Sequence, residues 1–225
     1  MSAEQKIAVV VCAAGSSERM GGVKKEYLKL KNRDITVLGS VVCSFAAVPS
    51  VNEIAITIPK DGEEAARAAL PPECLSASKP KLKFVKGGET RQASVYNGLL
   101  ALAESNPAYV LIHDGARPWI SRQLIEKTIE EAAKHNAVIP VLPLTETPKE
   151  ISGGFIKRHT RRTDTCVAQT PQAFKFLEIL YAHKKAAQAG KEFTDDAEVW
   201  GKFCGRVAVV PGDPVNRKIT FQGDI

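Results

Sequence analysis

Short apolar runs rich in β-branched residues alternate with amphipathic segments along most of the chain. The apolar runs predict strands buried on both faces, at 7–14, 53–58, 82–85, 109–113, 137–141 and 207–210. Apolar residues at helical spacing predict helices at 34–48, 61–70, 91–104, 121–135, 173–189 and 195–203, with Asp34 and Ser121 as N-caps. This alternation predicts an α/β fold with a mostly parallel sheet and helices on both faces.

The segment 144–167 interrupts the alternation. It contains Thr145 and Thr147, the Gly153-Gly154 pair and a basic end, and it predicts a hairpin or an arm. Its few apolar residues cannot form a core of their own. We therefore expect a single domain over residues 1–225, with an inserted arm at about 144–167.

Composition narrows the class of protein. The 225 residues are 44% hydrophobic and 25% charged, as in soluble globular proteins. No apolar run reaches the length of a membrane span, and the N-terminus lacks the basic start and long apolar stretch of a signal peptide, so we expect a cytoplasmic protein. Five widely spaced cysteines without a C-x-x-C pair argue against a zinc cluster, a redox pair or a disulfide framework.

The charge distribution points to anionic partners. The net charge is +6, and basic residues cluster at 24–31, 79–91, 157–162 and 217–218. Aromatic residues make up 6% of the chain and do not interleave with the basic ones, so a nucleic-acid platform is not expected. The clusters can instead converge on one small polyphosphate, or remain solvated surface charge.

Two glycine-rich segments follow predicted strands. The first, AAGSSERMGG at 13–22, offers backbone N–H groups to phosphate oxygens, while Arg19 and Lys25 can neutralise a polyphosphate. The second, GGETRQASV at 87–95, permits close approach to a flat base, and Ser94 can bond a base or a ribose. Taken alone, each segment is equally compatible with a capped turn.

A third motif, HDGARP at 113–118, follows the predicted fourth strand. The carboxyl ends of parallel strands form the edge where ligands bind, so Asp114 is well placed to hold Mg²⁺ beside bound phosphates. Arg117 adds a fork-shaped anion donor. The alternative for this motif is an Asp helix cap with an Arg partner.

Together these segments resemble the 2-C-methyl-D-erythritol 4-phosphate cytidylyltransferase family, which has a Rossmann-like nucleotidyltransferase fold with a β-arm for dimerisation. The family patterns A-A-G-x-G-x-R-M-G, P-K-Q-Y-L, G-G-x-x-R-x-x-S-V and H-D-A-A-R-P match residues 13–21, 24–28, 87–95 and 113–118. Its later patterns T-P-Q-x-F, T-D-[DE]-A and N-x-K-[IV]-T match residues 170–174, 194–197 and 216–220. The resemblance covers essentially the whole chain.

The resemblance implies transfer of a cytidylyl group from CTP to 2-C-methyl-D-erythritol 4-phosphate, with release of pyrophosphate, in non-mevalonate isoprenoid biosynthesis. It also implies Mg²⁺ or another divalent cation, and a homodimer in which the arm of one subunit completes the site of the other. By position it assigns catalytic cations to Arg19, Lys25 and Lys218, nucleotide contacts to Ala13, Ala14, Gly15, Gly88 and Ser94, contacts with the methylerythritol phosphate to Arg117, Thr147, Arg162 and Thr194, and the metal to Asp114.

The chain departs from the family patterns at four positions. Ser17 replaces the second loop glycine, which predicts a stiffer loop, and Gly115 replaces an alanine after Asp114. Lys24 replaces the proline and Glu26 the glutamine on either side of Lys25. Three other functions stay open: a ribitol 5-phosphate cytidylyltransferase, which shares the fold and the main charged residues, a nucleotidyltransferase that acts on another sugar phosphate, and a nucleotide-binding regulator without catalysis.

Overall fold

The computed structural model describes residues 6–17, 20–76 and 80–225. The strands in this part of the chain are β1 (Ile7–Cys12), β2 (Val51–Ile58), β3 (Lys81–Lys86), β4 (Tyr109–Asp114), β5 (Ala137–Pro143), β6 (Lys149–Ser152), β7 (Phe155–His159), β8 (Cys166–Ala168), β9 (Gln172–Lys175) and β10 (Ala208–Pro211). The helices are α1 (Val37–Ala46), α2 (Glu63–Ala68), α3 (Pro72–Ser76), α4 (Arg91–Leu102), α5 (Arg122–His135), α6 (Phe176–Gln188) and α7 (Asp196–Phe203).

Within the described residues, eight strands form one mixed sheet. Its order is β10-β5-β9-β4-β1-β2-β3, and β8 also pairs with β5. Strand β1 lies at the centre, parallel to β2 and β4, with Val9 opposite Ile54 on one side and Leu111 on the other. The predicted mostly parallel sheet is confirmed, and β8 and β9 are its antiparallel members.

Helices pack on both faces of the sheet, as the sequence predicted. Val9 and Val11 of β1 face a core that includes Phe45 of α1 and Ile125 of α5. Val10, between them, faces the opposite core, which includes Leu99 of α4. Alternate side chains of one strand thus enter two separate cores, because successive Cβ atoms point to opposite faces. No helix among the described residues is both long and apolar enough to cross a membrane.

Strand β9 corrects the predicted helix at 173–189, because the first residues of that segment are a strand and α6 begins only at Phe176. Ala173 and Phe174 are both buried, one in each core, so the pair looks like a continuation of the apolar helical pattern. Strand β9 fills the space between β4 and β5, with Phe174 opposite Val110 on one side and Ala137 on the other.

The N-cap of α1 is a second correction. Thr36 caps the helix by accepting a hydrogen bond from the N–H of Gly39 at 2.9 Å, whereas Asp34 pairs with Lys29 outside the helix. Both Asp and Thr are good N-caps, and the strand-like bridge between Lys29 and Thr36 keeps Asp34 two residues away from the helix. Ser121 caps α5 as predicted, by accepting from the N–H of Leu124.

The predicted arm is a β-hairpin, and it is shorter than the sequence indicated. Strands β6 and β7 form a two-stranded sheet apart from the main one, turning at Gly153 and Gly154, whose φ angles of +57° and +83° favour glycine. The end of the predicted arm belongs elsewhere, because Cys166 and Val167 in β8 pair with β5. The hairpin exposes Phe155 by 80%, and Ile151 and Ile156 are exposed as well.

Candidate functional site

A cleft of about 1260 Å³ opens at the edge of the sheet where the parallel strands end. Its walls come from the loop after β1, the ends of β2 and β3, the start of α4 and the end of β4. This is the edge at which open α/β sheets bind ligands. Seven of the residues singled out from the sequence meet on its walls: Ala14, Gly15, Lys25, Gly88, Ser94, Asp114 and Lys218.

The glycine pair after β3 forms one wall through close backbone contact. A Cβ atom on Gly87 would overlap the side chain of Ala14, so the two loops can meet only if residue 87 is glycine. The Ser94 hydroxyl, buried at the start of α4, accepts from the N–H of Gly88 at 3.0 Å and donates to the carbonyl of Thr90 at 2.9 Å. Ser94 therefore holds this loop in shape, in addition to facing the cleft.

Asp114 is the electrostatic centre of the cleft. Its carboxylate is 2.9 Å from Nζ of Lys218, 3.2 Å from Nε of Arg91 and 3.4 Å from Nε of Arg117. Burial disfavours the charged form, but Arg91, Lys218 and Arg117 outweigh it and hold the pKa of Asp114 well below its usual range. One carboxylate thus gathers three cations beside the loop that follows β1.

His113 and Thr170 support Asp114 from the interior. The Thr170 hydroxyl accepts from the Asp114 N–H at 3.1 Å and lies 3.0 Å from Nδ1 of His113, to which it donates because the other ring nitrogen faces the Arg117 carbonyl, which can only accept. The ring then carries its proton on Nε2, which donates to the Arg117 carbonyl at 3.2 Å. Burial lowers the pKa of His113 to about 4, which is consistent with this neutral form.

Arg91 is a site residue to which the sequence analysis assigned no role. It bridges Asp114 to Asp196, reaching the second carboxylate with Nη1 at 2.9 Å, and Asp196 also contacts Nε2 of His183 at 3.1 Å. Burial opposes ionisation of Asp196, but Arg91 and His183 keep its pKa lowered. The sequence shows an arginine inside the motif at 87–95, but it does not reveal that this arginine has a partner in α7.

The segment before the C-terminus brings Lys218 to the cleft. The Ile219 N–H donates to the Ala116 carbonyl at 2.8 Å, and the buried Asn216 donates its side-chain amide to the Thr170 carbonyl at 2.8 Å. Arg117 donates to the Asn216 carbonyl at 2.9 Å and is not among the residues that line the cleft. Arg117 therefore ties two loops together in this structure.

The remaining predicted residues that the structure describes lie apart from the cleft walls. Ala13 is buried beneath the loop, and its N–H donates to the Thr57 carbonyl at 3.0 Å. Thr194 lines a neighbouring cavity of about 530 Å³ that shares Arg91 with the cleft. Thr147 and Arg162 are exposed near the arm, where Arg162 donates to the Thr145 carbonyl. Arg19 lies outside the described residues.

The described residues also bear on two other kinds of chemistry, a cysteine nucleophile and a metal site made of protein side chains. Cys12 lines the cleft, but burial raises the pKa of its thiol to about 12, so it is protonated at neutral pH and is a poor nucleophile. Among residues 6–17, 20–76 and 80–225, no three His, Cys, Asp or Glu side chains lie close enough together to hold a metal ion. Asp114 can still supply one ligand to a metal held mainly by a phosphate chain.

Comparison with known proteins identifies the family. The profile described as "IspD: 2-C-methyl-D-erythritol 4-phosphate cytidylyltransferase" matches residues 7–225. The chain belongs to the IspD family. The resemblance drawn from its motifs is thereby confirmed.

Relatives of known sequence and structure agree with this assignment. The chain is 41% identical to a bifunctional IspD/IspF enzyme of Rhodospirillum rubrum and 37% identical to one of Bartonella tribocorum, over 98% and 97% of its own length. It covers 55% and 54% of those two proteins, so it spans about half the length of the curated relatives it matches.

Among solved structures, the chain is similar to the 4-diphosphocytidyl-2C-methyl-D-erythritol synthase of Anaerococcus prevotii. The TM-score is 0.84 at 31% identity, covering 98% of this chain and 93% of that one. The IspD of Thermus thermophilus gives a TM-score of 0.74 at 32% identity, covering 97% and 95%. The Rossmann-like nucleotidyltransferase fold predicted for the chain is therefore that of its family.

Proposed function

We propose that the chain transfers a cytidylyl group from CTP to 2-C-methyl-D-erythritol 4-phosphate. A phosphate oxygen of the sugar alcohol attacks the α-phosphorus of CTP, the bond to the bridging oxygen of the β-phosphate breaks, and pyrophosphate leaves. The observation that carries this proposal is the convergence of Lys25, Lys218 and Asp114 on one cleft beside the loop after β1. We infer the identity of the two substrates from membership of the IspD family.

The nucleotide would occupy the cleft with its triphosphate along the loop after β1. Ala14 and Gly15, with Ala13 supporting them from below, would offer backbone groups to the nucleotide, while Gly88 and Ser94 would accommodate the base. Arg19, Lys25 and Lys218 would neutralise charge that develops as pyrophosphate departs. Such transfers depend on positioning and electrostatic stabilisation more than on a nucleophilic side chain.

Mg²⁺ fits this cleft as a partner of the nucleotide. Asp114 is a carboxylate on the wall of the cleft, and the cations that now share it would be drawn partly to a bound triphosphate, which would leave a carboxylate oxygen for the ion. Mg²⁺ commonly takes one or two carboxylates and completes its shell with substrate phosphates and water. Asp114 would be that carboxylate, and the ion would offset the negative charge of the triphosphate.

The second substrate and the partner subunit would meet at the arm. Arg117 and Thr194 would contribute from the subunit that holds CTP, and Thr147 and Arg162 from the arm of its partner in a homodimer. The exposed apolar side chains of the hairpin support such a two-fold contact, because a monomer would leave them in water. We expect neither a nucleic acid nor a membrane as a partner.

We further propose that the reaction takes place in the cytoplasm. All five cysteines lie within the described residues and are free. Cys43 and Cys74 are free although their sulphur atoms are 3.0 Å apart. The proposal rests on the sequence, whose widely spaced cysteines lack the framework of structural disulfides that is typical of small secreted domains.

The test is pyrophosphate release from CTP, measured in parallel with methylerythritol phosphate and with ribitol 5-phosphate. The proposal expects turnover with the first compound and a product with the mass of CDP-methylerythritol. Turnover only with ribitol 5-phosphate would replace the proposed substrate with its rival. Binding of CTP without turnover of either compound would identify a regulator without catalysis.

A further inference from the structure

Three side chains around the loop after β1 form one contact network, which we call the clasp: Ser17, Lys24 and Glu26. The Glu26 carboxylate is 3.3 Å from Nζ of Lys24 and accepts a 3.4 Å hydrogen bond from the Ser17 hydroxyl. These are the three positions within residues 13–28 at which the chain departs from the family pattern. Because Ser17 and Lys24 both contact Glu26, the three departures indicate one coupled change.

The clasp contains a buried charge that needs its partner. Glu26 is only 4% exposed, and the side chain of Lys24 is largely covered as well. Burial lowers the pKa of Lys24, while the charge of Glu26 acts in the opposite direction. Removing one member of a buried ion pair is costly because the other charge stays in a poorly solvated place. Lys24 and Glu26 should therefore depend on each other far more than an exposed pair does.

The clasp also ties the beginning of the loop to its end. Nζ of Lys24 donates a 2.6 Å hydrogen bond to the carbonyl of Gly15, a residue on the wall of the cleft. Ser17 has a φ angle of +55°, in the left-handed region that glycine adopts without strain. A serine at this position accepts the less favourable backbone conformation and places a hydroxyl next to Glu26.

Lys25 lies between the two charged members of the clasp. It begins a short 3-10 turn, Lys25–Tyr27, closed by a 3.1 Å hydrogen bond from the Tyr27 N–H to the Lys24 carbonyl. The Lys25 residue is 8% exposed and lines the cleft. Contacts made by Lys24 and Glu26 therefore fix the backbone on both sides of the residue proposed to act on the triphosphate.

We propose that the clasp is a positioning device, in which Ser17, Lys24 and Glu26 hold Gly15 and Lys25 in the geometry that receives the nucleotide. This inference rests on the proposed function, since it concerns the same cleft. Lys24 also lines the cleft, but its ammonium group is held by Glu26 and by the Gly15 carbonyl, so we assign it to the loop and not to the triphosphate. The clasp takes over the role of the glycine, proline and glutamine at these positions in the family pattern.

A double-mutant cycle tests the coupling. Lys24→Met should lower kcat/KM for CTP about tenfold, the scale of an uncompensated buried charge acting on a binding loop. The KM for methylerythritol phosphate should change less than twofold. Glu26→Gln is measured alone and in combination with Lys24→Met, and the double variant should have a kcat/KM for CTP at least threefold higher than that of Lys24→Met, because neither charge remains. If Lys24 instead contacted the triphosphate, the two losses would multiply, and that result would overturn the proposal.

A matched control uses a lysine in the same stretch. Lys29 pairs with Asp34 and both side chains are exposed, so Lys29→Met removes the same charge from a solvated pair. This variant should keep kcat/KM for CTP within twofold of the parent. A tenfold loss of kcat/KM for CTP in the control as well would mean that this value depends on the net charge and not on the clasp.

Restoring the family residues gives an independent test. The triple variant Ser17→Gly, Lys24→Pro and Glu26→Gln removes both charges, relieves the left-handed serine and places proline where Lys24 has a φ angle of −67°, close to that of proline. It should fold and keep kcat/KM within about threefold of the parent, although Lys24→Met alone loses about tenfold. A triple variant as impaired as Lys24→Met would contradict the clasp.

Thermal unfolding of the parent, Lys24→Met, Glu26→Gln and the double variant separates this inference from the proposed function. The loss of Tm in Lys24→Met should be larger than in the double variant, whatever the enzyme transfers. If the parent shows no cytidylyl transfer but this coupling in Tm is present, the proposed function fails and the clasp stands. If the parent is active and the Tm losses are additive, the clasp is wrong and the function stands.

Discussion

Asp114 combines two demands that usually conflict, burial and full ionisation. It satisfies them because Arg91, Lys218 and Arg117 approach it from three separate segments of the chain. The carboxylate keeps these mutually repelling cations together. If a triphosphate enters the cleft as proposed, it offers the same cations a second anion, so Lys218 would be shared between Asp114 and a phosphate without being left unpaired.

The first prediction removes the charge of Asp114 while keeping its shape. Asp114→Asn should lower kcat by about a hundredfold, the scale of losing one preorganised electrostatic contact, and should raise the Mg²⁺ concentration needed for half-maximal rate. CTP affinity should not weaken, because the cleft becomes more positive. Rates of pyrophosphate release and calorimetric titration with CTP measure the two effects.

The control for this change is Asp34→Asn, which removes a carboxylate of similar charge from an exposed pair with Lys29. It should leave both quantities unchanged. An unaltered Mg²⁺ dependence in Asp114→Asn would show that Asp114 organises the cations without holding a metal.

The second prediction concerns Lys25. Lys25→Ala should lower kcat by about a hundredfold, because a preorganised cation is lost where pyrophosphate departs, while the protein stays folded. Pyrophosphate release and circular dichroism measure these outcomes, and Lys31→Ala, an exposed lysine in the same stretch, is the matched control. Near-normal turnover of Lys25→Ala would remove Lys25 from the catalytic machinery.

At the scale of elements, the sequence predicted best where periodicity and capping agree. Strand β1 and helix α5 appear almost where expected, since one is apolar throughout and the other begins with a true serine cap. Strand β9 was missed because it is four residues long and runs directly into the apolar pattern of α6. Local spacing cannot separate such elements, and only pairing with distant strands does so.

The candidate site, too, could be predicted from the sequence only in part. Loop and strand-end residues such as Lys25 and Asp114 could be found from the sequence, because each follows a recognisable buried strand. Arg91 could not be assigned a role, since its importance depends on Asp196 in a helix far along the chain. The contact between Cys43 and Cys74 could not be predicted from the sequence either, because α1 and α3 come together only in the folded chain.

The third prediction tests the arm as a shared element. Arg162→Ala should raise the KM for methylerythritol phosphate at least tenfold with little change in the KM for CTP, because a bidentate guanidinium suits a phosphate dianion. A mixture of Arg162→Ala and Lys25→Ala chains should regain part of the lost activity, since each mixed dimer keeps one intact site. Steady-state kinetics and sedimentation measure these effects.

Arg122→Ala serves as the arginine control for the arm, because Arg122 is exposed on α5 and pairs with Glu126. It should change neither KM value. A monomeric parent protein at micromolar concentration, or mixed chains without recovered activity, would rule out the shared site.

At the scale of the whole molecule, His113 should make stability depend on pH. Its pKa is lowered to about 4 in the folded protein, against about 6.5 when unfolded, so between these values the unfolded chain binds the extra proton. This contribution to stability is complete above pH 6.5 and declines as the pH falls towards 4, by about 3 kcal/mol in total.

This fourth prediction is measured by urea unfolding of the parent and of His113→Gln at pH 7 and pH 4.5. The variant should be less stable at pH 7, because it disturbs the contacts with Thr170 and Arg117. The difference should shrink by about 2 kcal/mol at pH 4.5, since glutamine takes up no proton. An equal difference at both pH values would show that His113 does not titrate on unfolding.

The position of β9 also determines the order in which the strands of the sheet can pair while the chain is being synthesised. The chain leaves the ribosome from its N-terminus, so β4 and β5 emerge well before the strand that joins them. Until residue 175 is available, the backbone groups of both strands that face this gap have no neighbouring strand to pair with. Completion of the sheet therefore waits until the arm has been synthesised. Thr170, which precedes β9, reaches Asp114 at that same moment, so the cleft can take its final form only in a nascent chain in which the hairpin of β6 and β7 has already been made.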